Sequence, residues 1–461
     1  MMKKMFFVAG FLLLITGLFA QSVTQQLQKA FQQFENDAQL KHAISSLYVI
    51  DAKTGRVVFD KNSHIGLAPA STQKIITSVT AFELLGKDYR YKTEFGIIKN
   101  ENRSMLYIKP SGDPTFGSWR WESTKEKNVL SRIIASLPQK SITDFETVHI
   151  EAGGWTRQNI PDGWIWQDIG NYYGAGAGML NWRENQYDIV LRSGNAIGDA
   201  VAVVETKPVL HSFSFISEAS SAAKGTGDNA FIYLPVDGSH TIVRGTIPVN
   251  ENRFEISGAM TDPANQFIQT LKHSLNGDVK QGGQSSTTYS YHQQNVVPQL
   301  FHIEISPPLD SIIYWFNKKS INLYGEALIK TMAYEKSGLA STDSGIAIVK
   351  EFWKRKGLDQ DELNIYDGSG LSPLNRVTTH AQVEILKYAK GKSWYPYFYE
   401  ALPEFNGMKM KSGTISDVKG FCGYHKAKDG KEYIFSFLVN NYNSSASGLV
   451  NKMYKVLNVI K

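Results

Sequence analysis

Hydrophobic positions along the chain change period several times. Val23, Leu27, Phe31 and Phe34 recur at three to four residues, which predicts an amphipathic helix. The apolar-rich runs Ile44 to Ile50 and Val57 to Phe59 flank Asp51-Ala52-Lys53-Thr54-Gly55 and predict a β-hairpin. Ile75, Ile76, Val79, Phe82, Leu84 and Leu85 then return to helical spacing, so a helix with a buried apolar face follows. From about Thr93 the pattern breaks into short strand-like runs: Leu106 to Lys109, Val148 to Ile150, Asp188 to Leu191, Ala200 to Val204 and Thr241 to Val243. The polar stretches at 285–288 and 219–227 read as flexible loops. Around Tyr314 helical spacing resumes. Tyr433 to Val439 predicts a strand, and Leu449, Val450, Met453, Val456, Leu457 and Ile460 predict a C-terminal amphipathic helix.

This order predicts an α/β domain built from both ends of the chain, residues 21–92 and 303–461. A β-rich insertion over 93–302 interrupts it, with a nested subdomain at about 196–250. Lys3 and Lys4, the apolar run Phe6 to Phe19 and a small Ala20 before Gln21 read as a secretory signal over residues 1–20. Export to the periplasm is the expected location. The single cysteine, Cys422, excludes an intramolecular disulfide, so stability must come from core burial. The formal charge of +6 falls to about +4 once Lys3 and Lys4 are removed, too small an excess to argue for a nucleic-acid partner.

Candidate chemistry starts at Ser71-Thr72-Gln73-Lys74. A serine and a lysine at i and i+3 share a helix face, so the hydroxyl and the amine can exchange a proton. Pro69 can help set the helix entry, and the first turn carries unpaired N–H groups that favour a developing alkoxide. Ser221-Ala222-Ala223-Lys224 has the same spacing but runs into Gly225-Thr226-Gly227-Asp228, and reads as a surface loop. An acyl-transfer site also needs a second proton carrier, a substrate anchor and an oxyanion hole. Ser320 and Asn322 stand at the start of a predicted helix carrying Leu323, Ala327, Leu328 and Met332. Lys411, Ser412 and Thr414 precede a strand-like segment, where a cation and hydroxyls could hold a carboxylate and Gly413 would admit a substrate backbone.

Each of those tripeptides has decoys elsewhere, among them Lys53-Thr54-Gly55, which reads as the hairpin turn. A Ser-His-Asp hydrolase is disfavoured because there is no Gly-x-Ser-x-Gly elbow and the histidines are scattered. A zinc peptidase lacks His-Glu-x-x-His and any cysteine pair, and neither metal nor cofactor is expected. A β-lactamase or esterase could share the Ser–Lys chemistry, and a non-catalytic wall-binding or β-lactam-sensing protein is the rival from another class.

The ordered set Ser71/Lys74, Ser320/Asn322 and Lys411/Thr414 resembles the penicillin-recognising serine D-Ala-D-Ala carboxypeptidases of the penicillin-binding protein 4 type, peptidase family S13. Gly112-Asp113-Pro114-Thr115, Gly163 to Asp168, Gly245 to Pro248, Asp367 to Ser372 and Asn375 to Thr378 look like further landmarks of that family. Ser412 stands where threonine is more usual. The resemblance implies a β-lactamase-like domain with an antiparallel sheet flanked by helices. It implies a D-Ala-D-Ala carboxypeptidase, DD-endopeptidase or both, acting on peptidoglycan stem peptides and blocked covalently by β-lactams. Ser71 would be the nucleophile and Lys74 its base, neutral through burial and a nearby cation such as Lys411. Ser320 would pass the proton to the leaving amine, and Asn322 would bind the substrate amide. Lys411, Ser412 and Thr414 would hold the terminal carboxylate, and the N–H groups of Ser71 and Thr414 would form the oxyanion hole. Asp168 would meet the free amino end of the stem peptide. Trp155, Trp164, Trp166, Tyr172, Tyr173, Trp182 and Tyr187 could stack on sugars or line the pocket, and are expected chiefly to pack the insertion.

Overall fold

A computed structural model describes residues 22–100, 103–138, 147–210, 214–236, 238–276, 286–290 and 297–461. The predicted signal at 1–20 lies outside the described residues. The polypeptide is mixed α/β, and its largest sheet is antiparallel throughout. The strand order is Glu404–Phe405, Met408–Ile415, Val418–Lys426, Glu432–Asn440, Ile44–Asp51 and Val57–Lys61, so strands from near the two ends of the chain hydrogen-bond side by side.

Both faces of this sheet are covered, and strand alternation sorts the side chains between them. Leu47, Val49, Phe435, Phe437 and Val439 pack with Leu27, Phe31 and Phe34 of the Val23–Glu35 helix and Leu449, Met453 and Val456 of the Ala446–Leu457 helix. Tyr48, Ile50, Ile434 and Leu438 point the other way, onto the Lys74–Leu85 and Thr379–Lys390 helices. Glu432–Asn440 is therefore almost continuously apolar rather than alternating. The Lys74–Leu85 helix differs from the one-sided expectation. Every residue from Lys74 to Phe82 is buried, because the sheet and the Leu309–Lys318 and Asn322–Ser337 helices surround it, while Leu84 is exposed.

Residues 92–305 supply three further sheets. Ser286–Ser290, Thr147–Glu151, Arg103–Lys109, Lys92–Asn100 and Gln299–Ile305 form a mixed five-stranded sheet. Its core includes Phe95, Leu106 and Ile150 against Val129 and Ile133 of Glu126–Ser136 and Phe267 and Leu271 of Pro263–Asn276. A three-stranded sheet (Phe254–Ala259, Gln186–Arg192, Ala202–Lys207) shares its core with a four-stranded one centred on His240–Pro248. Two loop expectations are corrected here. Ser286–Ser290 pairs in parallel with Thr147–Glu151, and Ser220–Ala222 pairs in parallel with Thr246–Pro248; residue 285 lies outside the described residues. Sheet pairing satisfies main-chain groups whatever the side chains are, so short polar segments can join an existing strand.

Candidate active site

The segment before Ser71 is tied down by its backbone. Leu67 and Val377 exchange both main-chain hydrogen bonds, at 3.0 and 2.9 Å, and Thr72 Oγ1 donates to Pro69 O at 2.7 Å. Ala70 takes the left-handed conformation at φ +46°, and Ala70–Gln73 forms one tight 3-10 turn before the α-helix begins at Lys74. Two glycines press on this turn. A Cβ on Gly370 would lie 2.0 Å from Ala70 O. One on Gly413 would lie 2.5 Å from Pro69 O and 2.9 Å from Ser71 N. Lys411 to Thr414 lie within the Met408–Ile415 strand rather than ahead of one, and Gly413 is needed for the Ser71 turn itself to dock.

Lys74 is fully buried under Ser71. Its Nζ has three polar neighbours: Ser71 Oγ at 2.8 Å, Asn322 Oδ1 at 2.6 Å and Ser369 O at 2.7 Å. Burial pushes its pKa well below the ordinary lysine value, and the nearby Lys411 pushes it the same way. Asp367 and Glu326 pull weakly in the opposite sense. A neutral amine has two N–H donors and one lone pair. Asn322 Oδ1 and Ser369 O are acceptors that take the two donors, which leaves the lone pair for the Ser71 hydroxyl proton. Asn322 Nδ2 donates to Tyr173 O at 2.7 Å, so both ends of its carboxamide are engaged.

The second hydroxyl–amine pair lies alongside. Lys411 Nζ donates to Ser320 Oγ at 3.0 Å and to Ser412 O at 2.8 Å. Ser320 has φ +56°, a conformation that costs a non-glycine residue about 1 kcal/mol or more. Burial lowers the Lys411 pKa to about 7; the adjoining Cys422 opposes this and Lys419 assists it. Thr414 is exposed, and its hydroxyl accepts from Lys419 Nζ at 2.7 Å. On its outer side the strand pairs with Glu404–Phe405 through Met408 and Lys409, and Met410 N donates to Pro403 O at 2.9 Å, so the edge from Lys411 onward is left without a ladder partner among the described residues.

Ser71, Ser320, Asn322, Thr414 and Asp168 line one cavity of about 510 Å³. Ile165, Gln167, Tyr172, Tyr173, Phe231 and Leu371 complete much of its wall; for Tyr172 and Tyr173 pocket lining is the alternative to packing, and nothing in the sequence places the other four there. Asp168 is half-buried, which pushes its carboxyl up, while the Tyr173 hydroxyl donates to it at 3.2 Å. The aromatic set divides: Trp155, Trp182 and Tyr187 are core, Tyr172 and Tyr173 face the cavity, and exposed Trp166 packs at a tilt against Tyr233.

The loop 367–375, which the sequence marks only as a landmark, builds the floor. The buried Asp367 carboxylate accepts from Gly370 N, Ser372 N, Asn375 Nδ2, Gln73 Nε2 and Trp164 Nε1. That network presents Ser369 O to Lys74. Asp-Gly-Ser-Gly is a legible turn signal, but its contact with Gln73, 294 residues away, is visible only in three dimensions.

The family model described as D-Ala-D-Ala carboxypeptidase 3 (S13) matches residues 25–404. A D-alanyl-D-alanine carboxypeptidase of an Actinomadura species is 23% identical over 91% of this chain and 82% of that protein. The crystal structure of penicillin-binding protein 4 (DacB) from Haemophilus influenzae matches with a TM-score of 0.76 at 18% identity. It covers 94% of this chain and 98% of that one. The same protein complexed with a β-lactam matches at 0.70, with the same identity and coverage. With the family model spanning most of the chain, the protein belongs to the D-Ala-D-Ala carboxypeptidase 3 (S13) family of serine peptidases.

Proposed function

We propose that the chain is an exported D-alanyl-D-alanine carboxypeptidase or DD-endopeptidase, or both, that cleaves peptidoglycan stem peptides ending in D-Ala-D-Ala through an acyl-enzyme on Ser71. The observation that carries this reading is the 2.8 Å contact between Ser71 Oγ and a fully buried lysine amine, whose pKa burial pushes well below the ordinary lysine value. Ser71 Oγ attacks the carbonyl carbon between the two D-alanines as its proton passes to Lys74 Nζ. The Ser71 and Thr414 N–H groups hold the oxyanion; the support is the close approach of Gly413, next in chain to Thr414, to Ser71 N. Ser320, bonded to Lys411, relays a proton to the departing amine, and the C–N bond breaks. Water then adds to the ester and releases the shortened peptide.

Lys411, Ser412 and Thr414 receive the terminal carboxylate at the open strand edge. Asn322 Nδ2 binds the substrate amide carbonyl by exchanging its bond to Tyr173 O. Asp168 faces the same cavity and takes the free amino end of the stem peptide. The chemistry belongs to residues 21–92 and 303–461, with 93–302 as the insertion; Asp168, Tyr172, Tyr173 and Phe231 are among the insertion's contributions to the cavity wall. Export rests on the charged and apolar pattern of the first twenty residues, and among the described residues no helix is long and apolar enough to cross a membrane.

β-Lactams are expected to acylate the same oxygen. Intact-mass spectrometry after incubation with penicillin should show one adduct on the wild type and none on Ser71→Ala. No adduct on the wild type, or the same adduct on both, overturns the assignment. Release of D-alanine from a pentapeptide, compared with cleavage of a cross-linked dimer, separates carboxypeptidase from endopeptidase.

A further inference from the structure

The histidines that are scattered in sequence are not all scattered in space. His64 lies in the segment leading to the Ser71 turn, Glu362 at the end of the Gln360–Glu362 turn, and His380 in the first turn of the Thr379–Lys390 helix. One ligand atom from each lies within 4.8 Å of the others. We propose that His64, Glu362 and His380 form a binding site for a divalent transition ion of the zinc class, with water completing the coordination shell. None of the three lines the cavity that contains Ser71.

The donor set suits that ion, since imidazole nitrogen and carboxylate oxygen are ordinary zinc ligands at about 2.0–2.2 Å, which sets ligand atoms roughly 3.4 Å apart in a tetrahedron. His380 Nδ1 is 3.0 and 3.1 Å from the two Glu362 oxygens, and His64 Nδ1 is 3.6 Å from Glu362 Oε2. These separations bracket the required one. The two imidazole rings stand 4.4 Å apart between centroids, and the His64 side chain is 66% exposed, so its ring can turn toward a shared ion without disturbing the core.

The other two ligands are already held. Thr378 Oγ1 donates to Glu362 Oε2 and also caps the helix through Ala381 N, and His380 N donates to Ser63 O at 3.0 Å. Such outer hydrogen bonds orient metal ligands. Asp60 and Glu384 act on His380 from the neighbouring strand and its own helix, so the local field favours a cation.

An ion here would join three segments: 62–67, 360–363 and the start of the Thr379–Lys390 helix. The first runs straight into the Ser71 turn, and the Leu67–Val377 bridge lies beside it. Its role would be a clip that adds stability by binding the folded chain, outside the acyl-transfer chemistry.

The test uses untagged protein stripped with chelator, then titrated with zinc sulfate by calorimetry and metal analysis, with Tm measured in parallel. One zinc per chain, a Tm raised by several degrees, and at least tenfold weaker binding in His64→Ala and His380→Ala are expected. Cobalt(II) should give visible absorption bands in the wild type that His64→Ala lacks. Penicillin acylation within twofold of wild type shows that the exposed-site variant His64→Ala is folded. No zinc uptake by the wild type, or equal stoichiometry and affinity in His64→Ala, overturns the proposal.

Discussion

Ser71-Thr72-Gln73-Lys74 and Ser221-Ala222-Ala223-Lys224 carry the same spacing and meet opposite fates. In the first, a 3-10 turn running into an α-helix brings the amine back under the hydroxyl, and the helix is packed on all sides. In the second, Ser220–Ala222 is a strand. Ser221 is buried there and accepts a hydrogen bond from Gly194 N, while Lys224 is exposed beyond the strand end. The expected surface loop at Ser221 is corrected by this pairing. An i, i+3 pair shares a face only when the backbone is helical. Even then it becomes chemistry only when burial strips the amine of its proton.

The sharpest way to break this comparison is to remove the buried amine. Lys74→Met keeps the volume and loses the proposed proton acceptor. The acylation rate by penicillin should fall on the order of 10³-fold while circular dichroism keeps the native signal. A variant still acylated at wild-type rate would mean that another group accepts the Ser71 proton.

Next in size is the docking of the turn. Gly413→Ala places a Cβ against main-chain atoms of Pro69, Ser71 and Thr72, which cannot rotate away. A loss of about 1–3 kcal/mol in denaturant unfolding and an acylation rate roughly 10- to 100-fold lower are expected. Wild-type stability would refute the packing argument.

The pH profile sharpens the electrostatic half. Because Lys74 must be neutral, acylation at saturating β-lactam should rise with pH along a limb centred well below the ordinary lysine pKa. The Lys411 charge lowers the Lys74 pKa, so Lys411→Met should move that limb to higher pH. No shift would show that burial alone sets the base, and a shift to lower pH would contradict the charge argument outright. The smallest effect belongs to the second copy: Ser221→Ala and Lys224→Ala should each leave acylation within about twofold. Ser221→Ala should cost about 1 kcal/mol through its lost hydrogen bond, and Lys224→Ala under about 0.5 kcal/mol.

Much of the fold could be read along the chain because burial imprints a period. The Val23–Glu35 helix, the hairpin closed by the Asp51 carboxylate over Lys53 N and Thr54 N, and Glu432–Asn440 all follow from side-chain spacing or turn chemistry. Ser286–Ser290 and Ser220–Ala222 escaped because their pairing is made by backbone groups, which leave no residue pattern. Gly413 was legible as a close-approach glycine, but not what approaches it.

The sequence by itself determined the family, marked Ser71, Lys74, Ser320, Asn322 and Lys411 as the candidate set, and set the i, i+3 spacing that unites the first two. Those depend on residue type and short spacing. Only the tertiary structure decided that Asn322 Oδ1 and Ser369 O flank the Lys74 amine, that Lys411 reaches Ser320, and that His64, Glu362 and His380 converge. Each of those contacts joins segments brought together by sheet pairing and helix packing, and residue spacing along a chain carries no record of such distances.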